Sequence, residues 1–489
     1  MKLRNKALIV ALATAMSAPT LAAGFGLNSQ SANGMGRAFA GDAIIADNAA
    51  VMARNPAAMA LFDRPALSMG LAFVDMDSRI TNAHYAGGSL NDIDDAAQSS
   101  FIPNIHYIHP LNDTWAVGVS AHSNFGSKGS TTSLYKGADT GMLPYDLIGD
   151  TEVVSMNLNG SVSYRVNEYL SFGAGLDIIY GQGTLTRMND AMVADADGVA
   201  FGGVLGATFE LNENHRWGMS YRVSPTVTAT GDIGMNMAGQ LPIGQITFTA
   251  ADLSDNPLAV AIPIEFALSN LNMGINADFD ELELPMPDVF QFAGFHQLTD
   301  RFAVHYTAQW TQWSAFDQVT ARGGYGSLSG SADLSGRCTL PFGCNSNIPG
   351  LGLSANDIIG MLPPGGEVGI DGIALGDVAL KEFGWKDSWM LSIGGTYDVS
   401  DKLALRAGYG RDMGVVDQIE TISFPDSDRN WYSVGASYKL SASSAIDMGF
   451  LFIRGEEVNV IEDSSFVGPV NATTITDGSY YSIQYSRLF

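Results

Sequence analysis

The stretch Ala23–Phe62 reads AGFGLNSQSANGMGRAFAGDAIIADNAAVMARNPAAMALF, and it decides the fold because it differs from the rest of the chain. It is rich in Gly, Ala and Asn and lacks the alternation of apolar and polar residues that dominates later. Pro56 bars Asn55 from helical geometry, so we predict short helical turns that end at Asn55-Pro56-Ala57. The stretch has too few large apolar residues to form its own core. We therefore predict that it plugs a container formed by the remaining residues.

Residues 1–22 have the features of a secretory signal peptide. Three positive charges come first, residues 8–16 form a short apolar run, and residues 20–22 offer small side chains for cleavage. The apolar run is too short to span a bilayer as an anchor. We therefore expect an exported protein whose working fold begins at Ala23.

Composition narrows the class of protein further. After residue 22 no apolar run reaches the length of a membrane-spanning helix, yet 46% of the chain is hydrophobic and 10% is aromatic. An exported chain of this kind is either a large soluble β protein or an outer-membrane barrel. The net charge of −26 argues against nucleic acid and anionic lipid as partners.

Two cysteines, Cys338 and Cys344, lie close together in a segment that reads as a loop. In an oxidising compartment they are expected to form a local disulfide. A metal site is less favoured because no histidine lies nearby. We expect neither a metal nor a cofactor.

Alternation of apolar and polar residues recurs along the chain from residue 64 onward. In the segment 151–166, apolar side chains at 154, 156, 158, 162, 164 and 166 share one face, and polar ones share the other. The pattern predicts fourteen strands, near 64–80, 99–110, 113–125, 152–166, 169–187, 199–211, 215–232, 286–298, 301–320, 385–399, 402–413, 429–440, 444–460 and 476–489.

The connections indicate how these strands are arranged. Six short turns alternate with seven longer loops, the longest near 233–285 and 321–384. This rhythm is typical of an outer-membrane barrel, whose apolar faces meet lipid and whose closure leaves no strand edge in hydrocarbon. The fold class we predict is an all-β membrane protein, a 14-stranded antiparallel barrel over 63–489 plugged by a small helical hatch over 23–62. A soluble β sandwich explains neither the rhythm nor the terminal Phe489, which resembles the signal read by the barrel-assembly machinery.

Several motifs resemble those of one known family. They are Gly24-Phe25, Gly36-Arg37-Ala38-Phe39, Ile45-Ala46-Asp47, Arg54-Asn55-Pro56-Ala57, Phe62-Asp63-Arg64-Pro65, the run 153–159, Ser171-Phe172-Gly173 and Trp313-Ser314. Together they are similar to the FadL-type outer-membrane transporters of long-chain fatty acids and to their relatives that import aromatic hydrocarbons. The resemblance covers nearly the whole chain and implies the same plugged barrel.

The resemblance also implies a route for a hydrophobic ligand. Capture in a groove on the extracellular loops is followed by a lumen pocket, a shift of the hatch, and sideways exit at a kinked third strand. Ser123-Asn124-Phe125-Gly126 resembles that kink, and Gly126 weakens a strand there. Phe25 resembles the hatch phenylalanine that reaches the pocket, and Arg54-Asn55-Pro56-Ala57 resembles the gating part of the hatch. The apolar loop 233–285 suggests the capture groove.

Candidate residues that could bind a carboxylate head group follow from the face of the strand on which a residue lies and from the family resemblance. Arg187 shares the polar face of its strand and matches a family position that contacts the head group, although it could instead pair with a hatch carboxylate. A second basic position of the family is occupied by Thr320. Arg322 could replace it only if a bulge turned it inward. This departure leaves neutral alkanes or aromatic hydrocarbons as alternative substrates.

Other functions and partners can be weighed from the same residues. An outer-membrane hydrolase needs a serine activated by histidine, and the seven histidines form no such pattern. A general porin or a surface receptor disagrees with the hatch. Asp92, Asp94 and Asp95 lack the spacing of a calcium loop. We expect no enzyme, but a monomer that contacts outer-membrane lipid, lipopolysaccharide and the barrel-assembly machinery.

Overall fold

The computed structural model describes two compact units. The described residues are 24–86, 88–135, 143–188, 190–241, 246–249, 264–338, 344–345, 353–360, 366–417 and 419–489, so the expected signal peptide lies outside them. The first unit takes in the chain up to 233 together with 281–321 and 379–489, and the second takes in 234–280 and 322–378. Within the described residues, no helix is long and apolar enough to cross a membrane.

The first unit is built on fourteen strands. They are β1 Ala66–Tyr85, β2 Ser100–Pro110, β3 Trp115–His122, β4 Asp150–Arg165, β5 Leu170–Arg187, β6 Met192–Asn212, β7 His215–Val223, β8 Val289–Thr299, β9 Phe302–Thr311, β10 Ser388–Asp398, β11 Leu403–Asp412, β12 Arg429–Ser441, β13 Ser444–Gly455 and β14 Gly468–Leu488. Each pairs antiparallel with the next, and β14 pairs with β1 from Leu488 opposite Ala66 onward. The sheet therefore closes on itself, which confirms the predicted barrel.

Alternating exposure shows why these sequences form a barrel. On β4, Asn157, Asn159 and Ser161 are buried, whereas Leu158 and Val162, at the alternate positions, are exposed. The polar side chains thus face the interior and the apolar ones face outward, as required of a strand between lipid and lumen. This arrangement excludes the soluble sandwich, because a sandwich buries its apolar face.

Further strands lie between the barrel strands along the chain. They are Gly88–Ser89, Gly126–Ser130, Thr226–Leu241, Glu281–Pro285, Gln318–Cys338, Gly366–Glu382 and Val458–Ser464. The prediction of loops at 233–285 and 321–384 was wrong in part, because strands occupy much of both segments. The residues 326–336, GSLSGSADLSG, carry large apolar side chains only at Leu328 and Leu334. Such a strand has a weaker apolar face than the strands that were recognised in the sequence.

The second unit is a sheet of long hairpin strands. Gly234–Leu241 pairs with the strand Ile264–Asp278, which pairs on its other side with residues 325–338. The strand Ile246–Thr249 also joins it. A disulfide links Cys338 and Cys344, and the helix Ala355–Gly360 follows. The side chains proposed for the capture groove lie largely outside the described residues.

Residues 24–62 form short turns rather than a regular domain. They contain the helices α1 Ala32–Met35 and α2 Val51–Arg54 and the 3-10 helix Pro56–Leu61. The Asn55 side chain accepts a hydrogen bond from the Ala57 backbone N–H and so begins the 3-10 helix, as Pro56 at its first position requires. Nearly all of these residues are buried. A Cβ added to Gly435 of β12 would lie 2.8 Å from the Gly36 Cα, so this contact with the strand requires glycine.

Candidate functional site

The third barrel strand is interrupted, and the N-terminal segment takes over its main-chain pairing. β3 ends at His122 and a new strand begins at Gly126. In between, Gly26 and Phe125 form an antiparallel bridge. The Leu27 N–H donates to the Asn124 carbonyl at 2.7 Å, and the Gly126 N–H donates to the Phe25 carbonyl at 2.9 Å. The interruption falls within the predicted kink residues 123–126.

The ladder between β2 and β3 stops at the same place. Its last pair is Ile105 with Ala121, although β2 continues to pair with β1 as far as Ser100. Side chains of the N-terminal segment reach this edge. Asn104 Nδ2 donates to the Ser29 carbonyl at 3.2 Å, and Gln30 Nε2 donates to the Ser123 carbonyl at 2.8 Å. The wall is thus held at this point by residues that are not part of the barrel.

Seven aromatic residues pack together beside the interruption, and we call them the aromatic cluster. They are Phe25, Phe125, Trp313, Phe316, Phe383, Trp385 and Phe424, none more than 4% exposed. The Phe25 ring lies edge-on to Phe316, Trp313 and Phe125, with centroid distances of 4.7, 4.9 and 5.7 Å. Such edge-to-face pairs stabilise a packed cluster beyond the burial of area alone. Phe25 therefore connects the N-terminal segment to the interrupted strand.

Arg187 lies at the edge of a small apolar cavity next to this cluster. The cavity has a volume of about 40 Å³ and is lined by Phe316, Phe383 and Phe424 of the cluster together with leucines from 282 and 284. Arg187 donates to the carbonyls of Asp150 and Thr186 at 2.9 and 2.7 Å and to Thr151 Oγ1 at 2.8 Å. Its guanidinium is thus held by β4 and its own strand. No carboxylate of the N-terminal segment pairs with it among the described residues.

A second cation, Lys381, lines the same cavity but is already paired. Its ammonium contacts the Glu462 carboxylate. The other oxygen of Glu462 accepts a hydrogen bond from the Ile422 N–H at 2.6 Å. The positive charge of Lys381 is therefore balanced within the protein.

A separate, more polar cavity lies between the N-terminal segment and the strands, and we call it the central cavity. It has a volume of about 50 Å³ and shares Phe125 and Trp313 with the aromatic cluster. Arg54 and Arg222 both line it. Arg222 pairs with Asp177 of β5 and donates to the Ala53 carbonyl at 2.6 Å, so it ties the N-terminal segment to the barrel.

A buried ionic network anchors the N-terminal segment elsewhere. Arg37 pairs with Asp42 at 3.0 Å and with Asp47 at 2.7 Å, and Arg406 of β11 lies 3.5 Å from Asp47. Burial opposes the ionisation of Asp47, but Arg37 and Arg406 outweigh it and hold the pKa of this carboxyl at about 2. A lowered pKa stabilises the folded state above the unfolded value of 3.8, and this stabilisation is lost as the pH falls through about 2.

The remaining predicted site residues lie in two places. Asn55 Nδ2 donates to the Ala43 carbonyl at 2.8 Å and to the Ala207 carbonyl at 3.1 Å, which fixes the start of the 3-10 helix containing Pro56 and Ala57 against β6. Arg322 belongs to the second unit, where it is exposed and 3.9 Å from Asp377.

Sequence reasoning did not identify most of the aromatic cluster. Phe316, Phe383, Trp385 and Phe424 follow or precede strands in three different connections. Aromatic residues near the ends of predicted strands, such as Phe383-Gly384-Trp385, were the available signal. The sequence around Lys381 carried no comparable signal, because nothing in it indicated that this side chain faces a cavity.

Comparison with known proteins gives the family. Residues 13–489 match the family described as "Outer membrane protein transport protein (OMPP1/FadL/TodX)". The chain belongs to this family. It is 28% identical over 484 residues to the long-chain fatty acid transport protein of Salmonella typhi, covering 94% of this chain and 93% of that protein. It is 27% identical over 495 residues to the protein of the same name from Escherichia coli K12, with the same coverage.

A solved structure supports the fold independently. The crystal structure of a Pseudomonas aeruginosa FadL homologue matches with a TM-score of 0.65 at 20% identity, covering 96% of this chain and 100% of that one. As a member of the OMPP1/FadL/TodX family, the protein is an outer-membrane transport protein. The family consists of transporters, which sets aside the hydrolase considered from the sequence.

Proposed function

We propose that the protein takes up long-chain fatty acids or similar hydrophobic molecules across the outer membrane by passive diffusion. In this proposal, residues 24–62 act as a hatch, the ligand is captured by the extracellular loops, and it then occupies a pocket at the aromatic cluster. Movement of the hatch frees it, and it leaves sideways into the membrane at the interruption of β3. The names of the relatives from Salmonella typhi and Escherichia coli K12 support this class of substrate.

The observation that carries the proposal is the shared main-chain pairing of Phe25–Leu27 with Asn124–Gly126. Two backbone hydrogen bonds close the wall where the ladder between β2 and β3 has ended. Because those partners belong to the hatch, a shift of the hatch would unpair this edge and open the wall. The ring of Phe25 lies in the aromatic cluster, so a ligand entering that cluster would displace the same residues.

Sideways exit has a thermodynamic reason. Burial of each methylene is worth ~0.8 kcal/mol, so a tail of about 16 carbons gains of order 10 kcal/mol in total. Release into water would forfeit this gain, whereas transfer into the bilayer retains it.

Neutral hydrocarbons are the second candidate substrate. The cavity beside Arg187 is almost wholly apolar in its lining, and Lys381 is already balanced by Glu462. Thr320 at the family's second basic position removes another cation. A neutral alkane would enter this pocket without disturbing any ion pair.

Replacement of Arg187 distinguishes these two substrates. If Arg187 binds a head group, Arg187→Ala should weaken oleate binding about tenfold or more, the value of a lost charged hydrogen bond, and leave a neutral alkane of similar length nearly unaffected. Binding can be followed by tryptophan fluorescence, because Trp313 and Trp385 lie in the adjoining cluster. The matched control is Arg165→Ala, which removes an arginine that pairs instead with Glu210 at 3.1 Å. Equal losses for both ligands would show that Arg187 is structural.

Replacement of Phe25 tests the hatch itself. Phe25→Ala should slow uptake of labelled oleate severalfold. A ligand in the aromatic cluster would no longer displace the Phe25 ring, and the main chain of residue 25 is what pairs with the kink. The unfolding temperature of the barrel should change little, since the strands keep their ladders. Phe201→Ala, which removes a side chain 66% exposed on the outer face, is the control. Uptake at the wild-type rate in Phe25→Ala would contradict the proposed route.

A further inference from the structure

Arg54, which is partly buried, differs from the buried arginines around the N-terminal segment. Arg37 pairs with two carboxylates and Arg222 with one. Within the described parts of the chain, no carboxylate oxygen lies within 4.0 Å of the Arg54 guanidinium. Its Nη2 donates to two amide oxygens, Asn28 Oδ1 at 2.8 Å and Gln30 Oε1 at 2.6 Å, and its buried Nε has no acceptor. Arg54 is thus a cation held by neutral groups alone.

The electrostatics agree with this difference. Burial lowers the pKa of Arg54 to about 10; the charge of Asp42 raises this pKa and the charge of Arg222 lowers it, and together they do not offset the effect of burial. For Arg37, burial has the same effect, but Asp47 and Asp42 raise its pKa above the ordinary value. An anion next to Arg54 would therefore gain energy that an anion next to Arg37 would not.

The central cavity provides the space for such an anion. Arg54 lines it, together with neutral side chains that include Gln291, Gln309 and Thr311. Its volume of about 50 Å³ accommodates a carboxylate group, which is comparable in size with a water molecule of about 30 Å³. Asp412 is the one carboxylate in the described lining, and it forms no ion pair with Arg54. Phe125 and Trp313 border both this cavity and the aromatic cluster.

We propose that Arg54 binds the carboxylate of a fatty-acid cargo in the central cavity, and that this binding releases the hatch from the interrupted strand. The inference rests on the proposed function and adds to it a second head-group site, beyond the one at Arg187. The tail of the ligand would then lie in the aromatic cluster, next to the exit.

A chain of hydrogen bonds connects Arg54 to the wall. Gln30, which accepts from Arg54, donates through Nε2 to the Ser123 carbonyl at 2.8 Å and to Asn124 Oδ1 at 3.2 Å. A carboxylate carries a full negative charge and can accept two parallel hydrogen bonds from a guanidinium, so it pairs with Arg54 more strongly than a neutral amide oxygen does. It would therefore displace the Gln30 and Asn28 side chains from Arg54. Once Gln30 is free to move, its bonds to the kink residues are no longer held in place.

The experiment compares oleate with methyl oleate on the full-length protein in mild detergent. Hydrogen exchange is measured for the amides of Leu27 and Gly126, which donate to Asn124 and Phe25. At saturation with each ligand, we expect these amides to exchange about tenfold faster with oleate than with the ester, since only the acid can pair with Arg54. Equal exchange with the two ligands in the wild-type protein would overturn the inference, whatever any variant does.

Variants then assign the effect to Arg54. In Arg54→Gln the difference between acid and ester should vanish, and in Arg54→Lys, which keeps the charge, it should persist in part. The matched control is Arg216→Gln, which removes a partly buried arginine that lies over the Phe295 ring, 4.5 Å from its centroid. An acid-specific effect that survives in Arg54→Gln would overturn the inference. If the wild-type protein bound neither ligand, the proposed function would fail instead, so the two failures are distinct.

Discussion

Uptake of a labelled long-chain fatty acid is expected to stop when Gly26 and Phe125 are both replaced by cysteine and oxidised, and to resume on reduction. These residues face each other across an antiparallel bridge, with hydrogen bonds from the neighbouring residues on both sides. In such a non-hydrogen-bonded pair the Cα atoms lie about 4.5 Å apart, which is within the range of about 4.4–6.8 Å that a disulfide spans. The cross-link would hold the hatch to the interrupted strand, so the wall could not open there.

The comparison of the oxidised with the reduced form is made within the same double variant. Both forms lack the Phe125 ring in the aromatic cluster, so its loss does not affect the difference between them. Each single cysteine variant, and the wild-type protein with and without reductant, controls for reduction of the Cys338–Cys344 disulfide. Equal uptake by the oxidised and reduced double variant would mean that the hatch does not leave this strand during transport.

The barrel could be predicted from the sequence because the membrane imposes a rule on every strand. The segment predicted as 152–166 is β4 Asp150–Arg165, since lipid on one side and the lumen on the other select residues of opposite polarity. No such rule acts on the strands of the second unit. The strand Gln318–Cys338 is rich in glycine and serine and has few large apolar side chains, so part of it was read as a loop.

The candidate site was less predictable, because it depends on contacts between distant parts of the chain. Phe25 and the kink at 123–126 were identified through the family resemblance, but their bridge was not. Phe316 and Phe424 come from separate connections, and they meet only when the barrel has closed. The alternation pattern correctly placed Arg187 on the inner face of its strand, since it is 5% exposed, but could not show that the Asp150 carbonyl and the Thr151 hydroxyl of β4 accept its hydrogen bonds.

Replacement of Arg37 by methionine should dislodge the hatch and convert the barrel into an open pore. Arg37 is 1% exposed and is held between Asp42 and Asp47, so its removal leaves the buried Asp42 without its ion-pair partner and leaves Asp47 with Arg406 alone. Breaking a buried ion pair on one side costs about 3–5 kcal/mol. The strands themselves lose no ladder hydrogen bonds. The cost therefore falls on the hatch, which has no core of its own and depends on such anchors.

Swelling of liposomes in sugar solutions measures this directly. Wild-type protein should give slow swelling if residues 24–62, most of which are buried, act as the proposed hatch, and Arg37→Met should give swelling several times faster. Arg64→Met is the matched control, since Arg64 pairs with Asp63 at the exposed end of the same segment, where an ion pair contributes little. If Arg37→Met left swelling slow while the barrel folded normally, Arg37 would not hold the plug in place. If the wild-type protein swelled liposomes as fast as the variant, residues 24–62 would not act as a plug at all, and the general porin considered from the sequence would be the better description.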